Sequence, residues 1–306
     1  MPYRWIPVLG KMVQKNEAIV FNGGLQTTPD GRPLYNVGNI ICDQTFGGGV
    51  ISGKVEFVSS VENDACEFIL YYDPHAKAFT TAGLGGLGLC SIRTWLGSQW
   101  ITHDTVGDKT QLRPNYSYNL RVSVRGSRVT ITIDDVDTLV TTLPFSLPRG
   151  QTGIWCVGDT DIIIRDYKVS REPAKVFVVM QFTPPYNELY SDVIVPVCND
   201  LGLNSVRADE TYGPGLIIAD IAREIIEAKV IIADITPPSP NIYYEVGYAH
   251  ALNKPTILIA EKPIQLPFDV SPFRVLFYEN TIAGKAKVEA GLRKHLEAIQ
   301  TQWSTA

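Results

Sequence analysis

Two acidic side chains stand in unusually apolar surroundings in the last third of the chain. Asp234 comes at the end of the apolar run Val230–Ile235, and Glu245 interrupts the apolar segment Ile242–Ala249. A carboxylate in such surroundings is costly unless it has a partner or a task. Burial also raises its pKa toward the range in which it can exchange protons. We therefore predict that both acids reach one cleft, where a carboxylate pair can do acid–base or nucleophilic chemistry.

Each of the two acids also has a purely structural interpretation. Asp234 can cap a loop, since Asp is common where strands end. Glu245 can form a structural ion pair with Arg207 or Lys254. The sequence leaves both alternatives open.

The predicted helix that carries Glu245 offers polar and aromatic neighbours. Asn241 lies four residues earlier and so shares one helix face with Glu245. Tyr244 and Tyr248 share a neighbouring face. We predict that these three neighbours contact a substrate. The alternatives are that Asn241 only starts the helix and that the tyrosines are core aromatics.

Strands that alternate with amphipathic helices position these residues. Five apolar runs are predicted strands: Lys175–Met180, Leu203–Ala208, Val230–Ile235, Thr256–Ala260 and Val275–Tyr278. Their order with the helices predicts a parallel sheet covered on both faces. Ser239 and Pro240 mark the start of a helix that runs to about Asn253. With a strand order of 2-1-3-4-5, ligands bind between the ends of the first and third strands, where we expect Gln181 and Phe182 to contact substrate.

The first half of the chain follows a different pattern. Short β-rich runs recur between turn residues: Gly49–Val58, Ala65–Tyr72, Tyr116–Val124, Arg128–Ile133, Thr138–Leu143, Gly153–Val157 and Asp161–Val169. Alternation within Leu120–Val124 and Val129–Ile133 buries one face only, as in antiparallel sheets. We predict an all-β sandwich over residues 1–172 and a Rossmann-like α/β domain over residues 173–306.

Two features of the predicted sandwich bear on ligands. The Gly-rich run Gly83–Gly88 lacks the lysine and helix of a phosphate loop, so we expect a flexible loop or close backbone packing. Four aromatic residues, Tyr71, Tyr72, Trp95 and Trp100, can line a sugar-binding face or belong to the core or its rim.

Composition argues against several classes of protein. The 306 residues are 45% hydrophobic, and the formal net charge of −5 is spread along the chain, so we do not expect nucleic-acid binding. No apolar run approaches the roughly 18–20 residues of a membrane span, and the start of the chain lacks a signal-peptide pattern. The five cysteines show no C-x-x-C spacing. We expect a reduced, cytoplasmic protein without a metal site.

The first half resembles the concanavalin A-like jelly rolls. The similarity rests on Tyr118–Gly126 with Val129–Asp134, and on Gly150–Trp155 with Ile162–Tyr167. The resemblance implies a jelly-roll sandwich. A carbohydrate or a protein is the kind of ligand that we expect on it.

The second half resembles the nucleoside 2-deoxyribosyltransferases and their TIR-like relatives. The similarity rests on Ala233–Thr236 followed by Pro240–Ala251, and on Val176–Phe182 and Arg207–Glu210. It spans essentially the whole second domain and implies a flavodoxin-like sheet. By this resemblance Glu245 is the nucleophile.

The same resemblance gives Asp220 a contact with the substrate, whereas composition alone makes Asp220 an exposed residue of an amphipathic helix. We also predict that Arg207 contacts the substrate. The chain departs from these families in three places. The loop Pro237–Pro240 is unusually rigid and longer than expected for the small transferases, the Asp-x-Phe-x-Ser opening of TIR domains is missing, and Asn241–Ile242 replaces their usual Trp-Cys. These departures favour the transferase-like branch.

The expected activity is therefore cleavage or transfer of an N-ribosyl or N-deoxyribosyl bond. Glu245 is the expected nucleophile, and Asp234 and Asp220 compete for the second carboxylate role. No cofactor is required, and NAD or another nucleotide enters as substrate. The fused sandwich suggests a regulated effector and is compatible with a homo-oligomer. The alternative is a non-catalytic nucleotide-binding module fused to a ligand-binding sandwich.

Overall fold

Strands make up most of the first 171 residues. The computed structural model describes residues 3–208, 217–266, 270 and 273–305. Its first fifteen strands are β1 (Trp5–Leu9), β2 (Met12–Lys15), β3 (Ala18–Phe21), β4 (Leu25–Thr27), β5 (Pro33–Phe46), β6 (Gly49–Phe57), β7 (Ala65–Asp73), β8 (Ala78–Leu84), β9 (Cys90–Trp95), β10 (Trp100–Val106), β11 (Ser117–Arg125), β12 (Arg128–Ile133), β13 (Val136–Thr142), β14 (Gly150–Gly158) and β15 (Ile162–Arg171).

These strands build two antiparallel sheets that face each other. One has eight strands in the order β1-β5-β14-β7-β8-β9-β10, with β4 paired to β5, and the other has seven in the order β13-β12-β11-β6-β15-β3-β2. Phe68 and Ile92 of the first sheet and Val122 and Ile131 of the second share one core. Every second residue of β11 is buried, which is the period of two expected of a sheet with one covered face. The predicted sandwich is confirmed.

The rest of the chain forms a parallel sheet with helices. Its elements are β16 (Ala174–Val179), α1 (Tyr186–Leu189), α2 (Val195–Asp200), β17 (Leu203–Arg207), α3 (Ile217–Glu227), β18 (Val230–Asp234), α4 (Pro240–Ala251), β19 (Thr256–Glu261), β20 (Val275–Tyr278) and α5 (Ile282–Thr305). A π-helical turn, Tyr190–Ile194, joins α1 to α2. The strand order is β17-β16-β18-β19-β20, parallel throughout. This is the order 2-1-3-4-5 on which the expected ligand position depends, and the predicted strands end within one residue of the observed ones.

Each face of the parallel sheet has its own apolar core. On one face Val178 and Ile232 pack with residues of α2 and α5. On the other face Phe177 and Ala233 pack with residues of α3 and α4. Successive side chains of a strand point to opposite faces, so the two cores show which face each residue of β18 joins. All five residues of β18 are buried.

Two buried lysines hold the sandwich against the parallel-sheet unit. The Lys254 ammonium donates to Ser127 Oγ in the turn between β11 and β12 at 2.9 Å, and to the backbone oxygens of Ile226 and Ala228 at 2.6 and 2.8 Å. The Lys229 ammonium donates to a backbone oxygen of residue 147. Because buried ammonium groups need acceptors, these bonds fix the contact between the two parts.

Within the described part of the chain, no helix has both the length and the apolar character needed to span a membrane. The five cysteines are buried free thiols. The described residues contain no group of three or more His, Cys, Asp or Glu side chains arranged to hold a metal ion.

Candidate active site

The carboxyl edge of the parallel sheet carries most of the predicted site residues. The strand order reverses at β16, which lies between β17 and β18, and doubly wound sheets bind ligands at such a reversal. Gln181 and Phe182 follow β16, Arg207 ends β17, and Asp234 ends β18. This edge is therefore where a substrate crevice is expected.

Glu245 is a half-buried acid without a partner among the described residues. It lies in the second turn of α4, where its neighbour Val246 and the preceding Ile242 pack against the sheet. No hydrogen bond or ion pair joins its carboxylate to another described residue. Burial raises the pKa of Glu245 to about 7. Near neutral pH both the protonated and the ionised forms of this carboxyl group are therefore accessible. No described residue neutralises the charge of the ionised form.

The structural alternative for Glu245, an ion pair with Arg207 or Lys254, is not found among the described contacts. Arg207 Nη1 donates instead to Asn187 Oδ1 at 2.8 Å. Lys254 donates to the acceptors at the contact with the sandwich. Within the described residues, both cations therefore contact groups other than Glu245.

Asp234 is a fully buried acid with two partners. Its Oδ2 accepts from the Tyr278 hydroxyl at 2.8 Å, and its Oδ1 accepts from the backbone N–H of Thr236 at 3.0 Å. Burial raises the pKa of Asp234 to about 7, against the opposing effect of these hydrogen bonds. The hydrogen bond from Thr236 is the local loop cap that the sequence offers as the structural alternative for Asp234. Tyr278 is not among the predicted site residues, although its position at the end of the last strand places it on the same edge.

Asp234 and Glu245 belong to opposite faces of the sheet. Every second residue of β18 points to the same face of the sheet, so Asp234 points to the face of Val230 and Ile232. Both of those residues pack with Tyr278 in the core that includes α5. Glu245 is on α4, which packs on the other face. The packing therefore does not favour the predicted convergence of these two acids. A cavity of about 430 Å³ on the Asp234 side is lined by Tyr278 and residues of α1 and α5.

Asp220 lies on the same face of the sheet as Glu245. It is in the first turn of α3, and the residues Ile221 and Ile225 of that helix pack in one cluster with Val246 of α4. Asp220 is three residues after the start of α3, and Glu245 is five residues after the start of α4. At 1.5 Å per residue, the two acids lie about 5 and 8 Å from the starts of their helices, and both helices start at the same edge of the sheet. Asp220 is half-buried and pairs with Arg223 of its own helix.

Phe182 and Arg207 form a second group at this edge. The guanidinium carbon of Arg207 lies 5.1 Å from the ring centre of Phe182 and 4.7 Å from that of Tyr190. Its bond to Asn187, which the sequence analysis does not single out, fixes the guanidinium over both rings. Gln181 donates to Thr183 at 2.8 Å. The predicted segment 207–210 lies partly outside the described residues.

The other predicted contacts of α4 differ in exposure. Tyr244 is 58% exposed and Asn241 is also exposed, so both can meet a ligand. Tyr248 is half-buried and packs against the α3–α4 core, which is its predicted structural alternative. The neighbouring Tyr243 was not predicted, yet its hydroxyl is buried and has no hydrogen-bond partner in the described chain.

No known protein-family model and no curated protein matches the chain. A carbohydrate-binding module from Bacillus subtilis is similar in structure, with 15% identity, 53% of this chain and 92% of that chain covered, and a TM-score of 0.44. The TIR domain of a Toll-related receptor from Hydra magnipapillata covers 41% of this chain and 97% of its own at 16% identity, with a TM-score of 0.34. The CMP N-glycosidase BcmB from Clostridium botulinum covers 39% and 98% at 17% identity, with a TM-score of 0.32.

Proposed function

We propose that the parallel-sheet unit cleaves the N-glycosidic bond of a nucleoside, nucleotide or NAD-like substrate, with Glu245 as nucleophile. The supporting observation is the state of Glu245 itself. A half-buried carboxylate with no described partner and a pKa raised to about 7 is costly to keep. Such perturbed, unpaired groups cluster at functional sites.

The proposed reaction has two steps. A carboxylate oxygen of Glu245 forms a bond to C1′ of the sugar while the C1′–N bond breaks and its electron pair leaves with the base. The base takes a proton from a second acid or from water. Water then attacks C1′ of the ester and releases Glu245, as in retaining glycosidases. If a second base attacks instead of water, the reaction is a transfer.

Asp220 is the better candidate for the second carboxylate. It shares a face of the sheet with Glu245, whereas Asp234 is on the other face and bonded to Tyr278. Asp220 can orient the sugar hydroxyls once it separates from Arg223. In this proposal Asp234 keeps the end of β18 in place and does not contact the substrate.

The proposal predicts a dependence of the rate on pH. Attack requires the ionised form of Glu245, and the pKa of Glu245 is raised to about 7 by burial. The rate of base release should therefore rise with pH through about 7 and level off above it. A rate that falls over this range would show that the protonated form is the active one.

The test is incubation of the full chain with NAD, nucleoside monophosphates and deoxynucleosides, followed by chromatography of the released base. Glu245→Gln should abolish release and Asp220→Asn should reduce it. Glu297→Gln, on the exposed face of α5, is the matched control. Undiminished turnover by Glu245→Gln removes Glu245 from the nucleophile role. Tight binding without release from any substrate supports the non-catalytic module instead.

A further inference from the structure

A row of aromatic rings crosses the outer face of the eight-stranded sheet. Tyr72 of β7, Phe79 of β8, Trp95 of β9 and Trp100 of β10 are direct register partners on four neighbouring strands. Three strand spacings of about 4.8 Å make this row about 14 Å long. Trp155 of β14 joins it, with its ring centre 5.2 Å from that of Trp100. The five rings line a groove of about 600 Å³, called here the tryptophan groove.

The tryptophan groove is separate from the core of the sandwich. Its rings belong to a small cluster on the opposite side of the sheet from the core shared by the two sheets. Trp95 and Trp100 remain half-exposed. The inner face of this sheet already packs in the sandwich core. A stable fold therefore does not require large aromatic rings on its outer face. Large apolar patches of this kind mark interaction sites.

A buried ion pair holds two of these rings in place. The Arg93 guanidinium lies 4.2 Å from the ring centre of Trp100 and 5.0 Å from that of Trp155, and Arg93 Nη2 lies 2.8 Å from Glu67 Oε2. Gly86 closes over this pair, because a Cβ at that position would collide with Glu67 Oε1. Of the two alternatives for the Gly-rich run, a flexible loop or close packing, Gly86 therefore shows close packing, here against side chains. These contacts orient two rings of the groove floor before any ligand arrives, and such preorganisation lowers the entropic cost of binding.

Asn39 supplies a polar group in the wall of the groove. It is the register partner of Trp155, it is only 5% exposed, and its Oδ1 is buried without a hydrogen-bond partner in the described chain. Buried side-chain amides are normally bonded within the protein. A side-chain amide has both a hydrogen-bond donor and an acceptor. A ligand hydroxyl can donate or accept a hydrogen bond, so it can pair with either end of the Asn39 amide.

We propose that the tryptophan groove binds a neutral saccharide, with its sugar rings stacked along the aromatic row and a hydroxyl bonded to the Asn39 amide. A sugar ring presents C–H groups to the negative face of an aromatic ring. Its hydroxyls stay at its edge in water, so it needs few polar partners from the protein. The groove offers that combination of apolar area with a few polar groups. This site is independent of Glu245.

Charge disfavours a cationic ligand in the same groove. Lys77 stands at the rim, and the guanidinium of Arg93 lies against the rings of Trp100 and Trp155, so both side chains place positive charge at the groove. A proline-rich peptide also docks on aromatic grooves. It carries a row of backbone carbonyls that need donors, however, and the side chains lining the groove offer few.

The test is titration of the full chain with neutral oligosaccharides of glucose, xylose, mannose and fructose, read by tryptophan fluorescence and calorimetry. At least one should bind. Trp100→Ala should weaken that binding by about tenfold or more, a loss of about 1.4 kcal/mol. Trp303→Ala, a half-buried tryptophan outside the groove lining, should leave it unchanged.

Asn39→Leu separates a binding role from a structural one. It should weaken saccharide binding by about tenfold while leaving the melting temperature equal or higher, because an unpartnered buried amide stabilises nothing. Trp95→Ala gives a second readout if Trp100→Ala does not fold. Failure of every saccharide to bind, or equal binding by wild type, Trp95→Ala and Asn39→Leu, overturns the proposal. Displacement of the fluorescence signal by a proline-rich peptide alone would assign the groove to peptides.

Discussion

The sandwich and the parallel-sheet unit each bury a glutamate, and they treat it in opposite ways. Glu67 of the sandwich is fully buried and is bonded to Arg93, Thr81 and Ser91. Glu245 is half-buried, has no described partner, and has its pKa raised to about 7 by burial. Burial alone therefore does not mark a reactive acid. A buried acid that the fold leaves unpaired is the better indicator of chemistry.

The largest expected effect comes from breaking the paired glutamate. Glu67→Gln leaves the buried guanidinium of Arg93 without its counter-charge, so we expect the free energy of unfolding to fall by about 3–5 kcal/mol. Chemical denaturation measures this loss. Glu56→Gln removes the partner of Arg165 in a more exposed ion pair, and it should cost less than about 1 kcal/mol. Equal losses of unfolding free energy in Glu67→Gln and Glu56→Gln would show that the buried ion pair is no more important for stability than the exposed one.

Asp234 is predicted to resemble Glu67 more than Glu245. Asp234→Ala leaves the Tyr278 hydroxyl and the Thr236 N–H without an acceptor, which should cost about 2–4 kcal/mol. Asp234→Asn keeps one carbonyl oxygen and should cost less. Thermal melting of both variants tests this order. Full stability of Asp234→Ala together with loss of base release would place Asp234 back among the reacting groups.

The glycine over the Glu67–Arg93 pair should be sensitive to any side chain. Gly86→Ala places a methyl group against Glu67 Oε1, and we expect a loss of about 1–3 kcal/mol. Gly247→Ala on α4 is the matched control, since its added Cβ meets open space. It should raise stability by about 0.5–1 kcal/mol, because Ala is favoured over Gly within helices. The two melting temperatures should move in opposite directions.

Glu245→Gln should have the smallest effect on stability, and in the opposite direction. The folded pKa of Glu245 is raised to about 7 from an ordinary 4.5. Its carboxyl therefore stabilises the fold only while protonated, and that contribution is lost as pH rises from about 4.5 to 7. The neutral glutamine avoids the loss. Because Glu245 is only half-buried, solvent screening reduces the size of this effect, so the melting temperature should rise by about 2–4 °C at pH 8, or about 1 kcal/mol. No gain is expected at pH 4.

A lower melting temperature for Glu245→Gln at pH 8 would show that the carboxylate has a stabilising partner. Glu297→Gln, measured at the same two pH values, controls for the loss of an exposed negative charge.

Much of the fold follows from local sequence patterns. The five apolar runs of the second half match β16 to β20 closely, because each run is bounded by turn or helix-start residues such as Ser239 and Pro240. The alternation within β11 and β12 likewise predicts strands with one buried face. These signals need no knowledge of distant contacts.

The direction of Asp234 does not follow from such patterns. β18 is buried on both faces, so all its residues up to Asp234 are apolar and no period of two shows which face the acid joins. Only the packing of Ile232 and Ala233 into different cores reveals it. The sequence offers Tyr72, Trp95 and Trp100 as candidates for a sugar-binding face, but it does not show how the tryptophan groove is assembled. The aromatic row forms only when four strands pair, and Phe79 then lies within it. Tyr71 instead packs against the core of the sandwich.

The most direct test of the central claim is the intact mass of the protein during turnover of a substrate whose base is released. If Glu245 is the nucleophile, wild-type protein should carry the mass of the substrate's sugar part, including any 5′-phosphate or ADP on it, and peptide mapping should place that mass on Glu245. Glu245→Gln should show neither the adduct nor base release. An adduct on another residue, or base release by Glu245→Gln at the wild-type rate, would contradict the account.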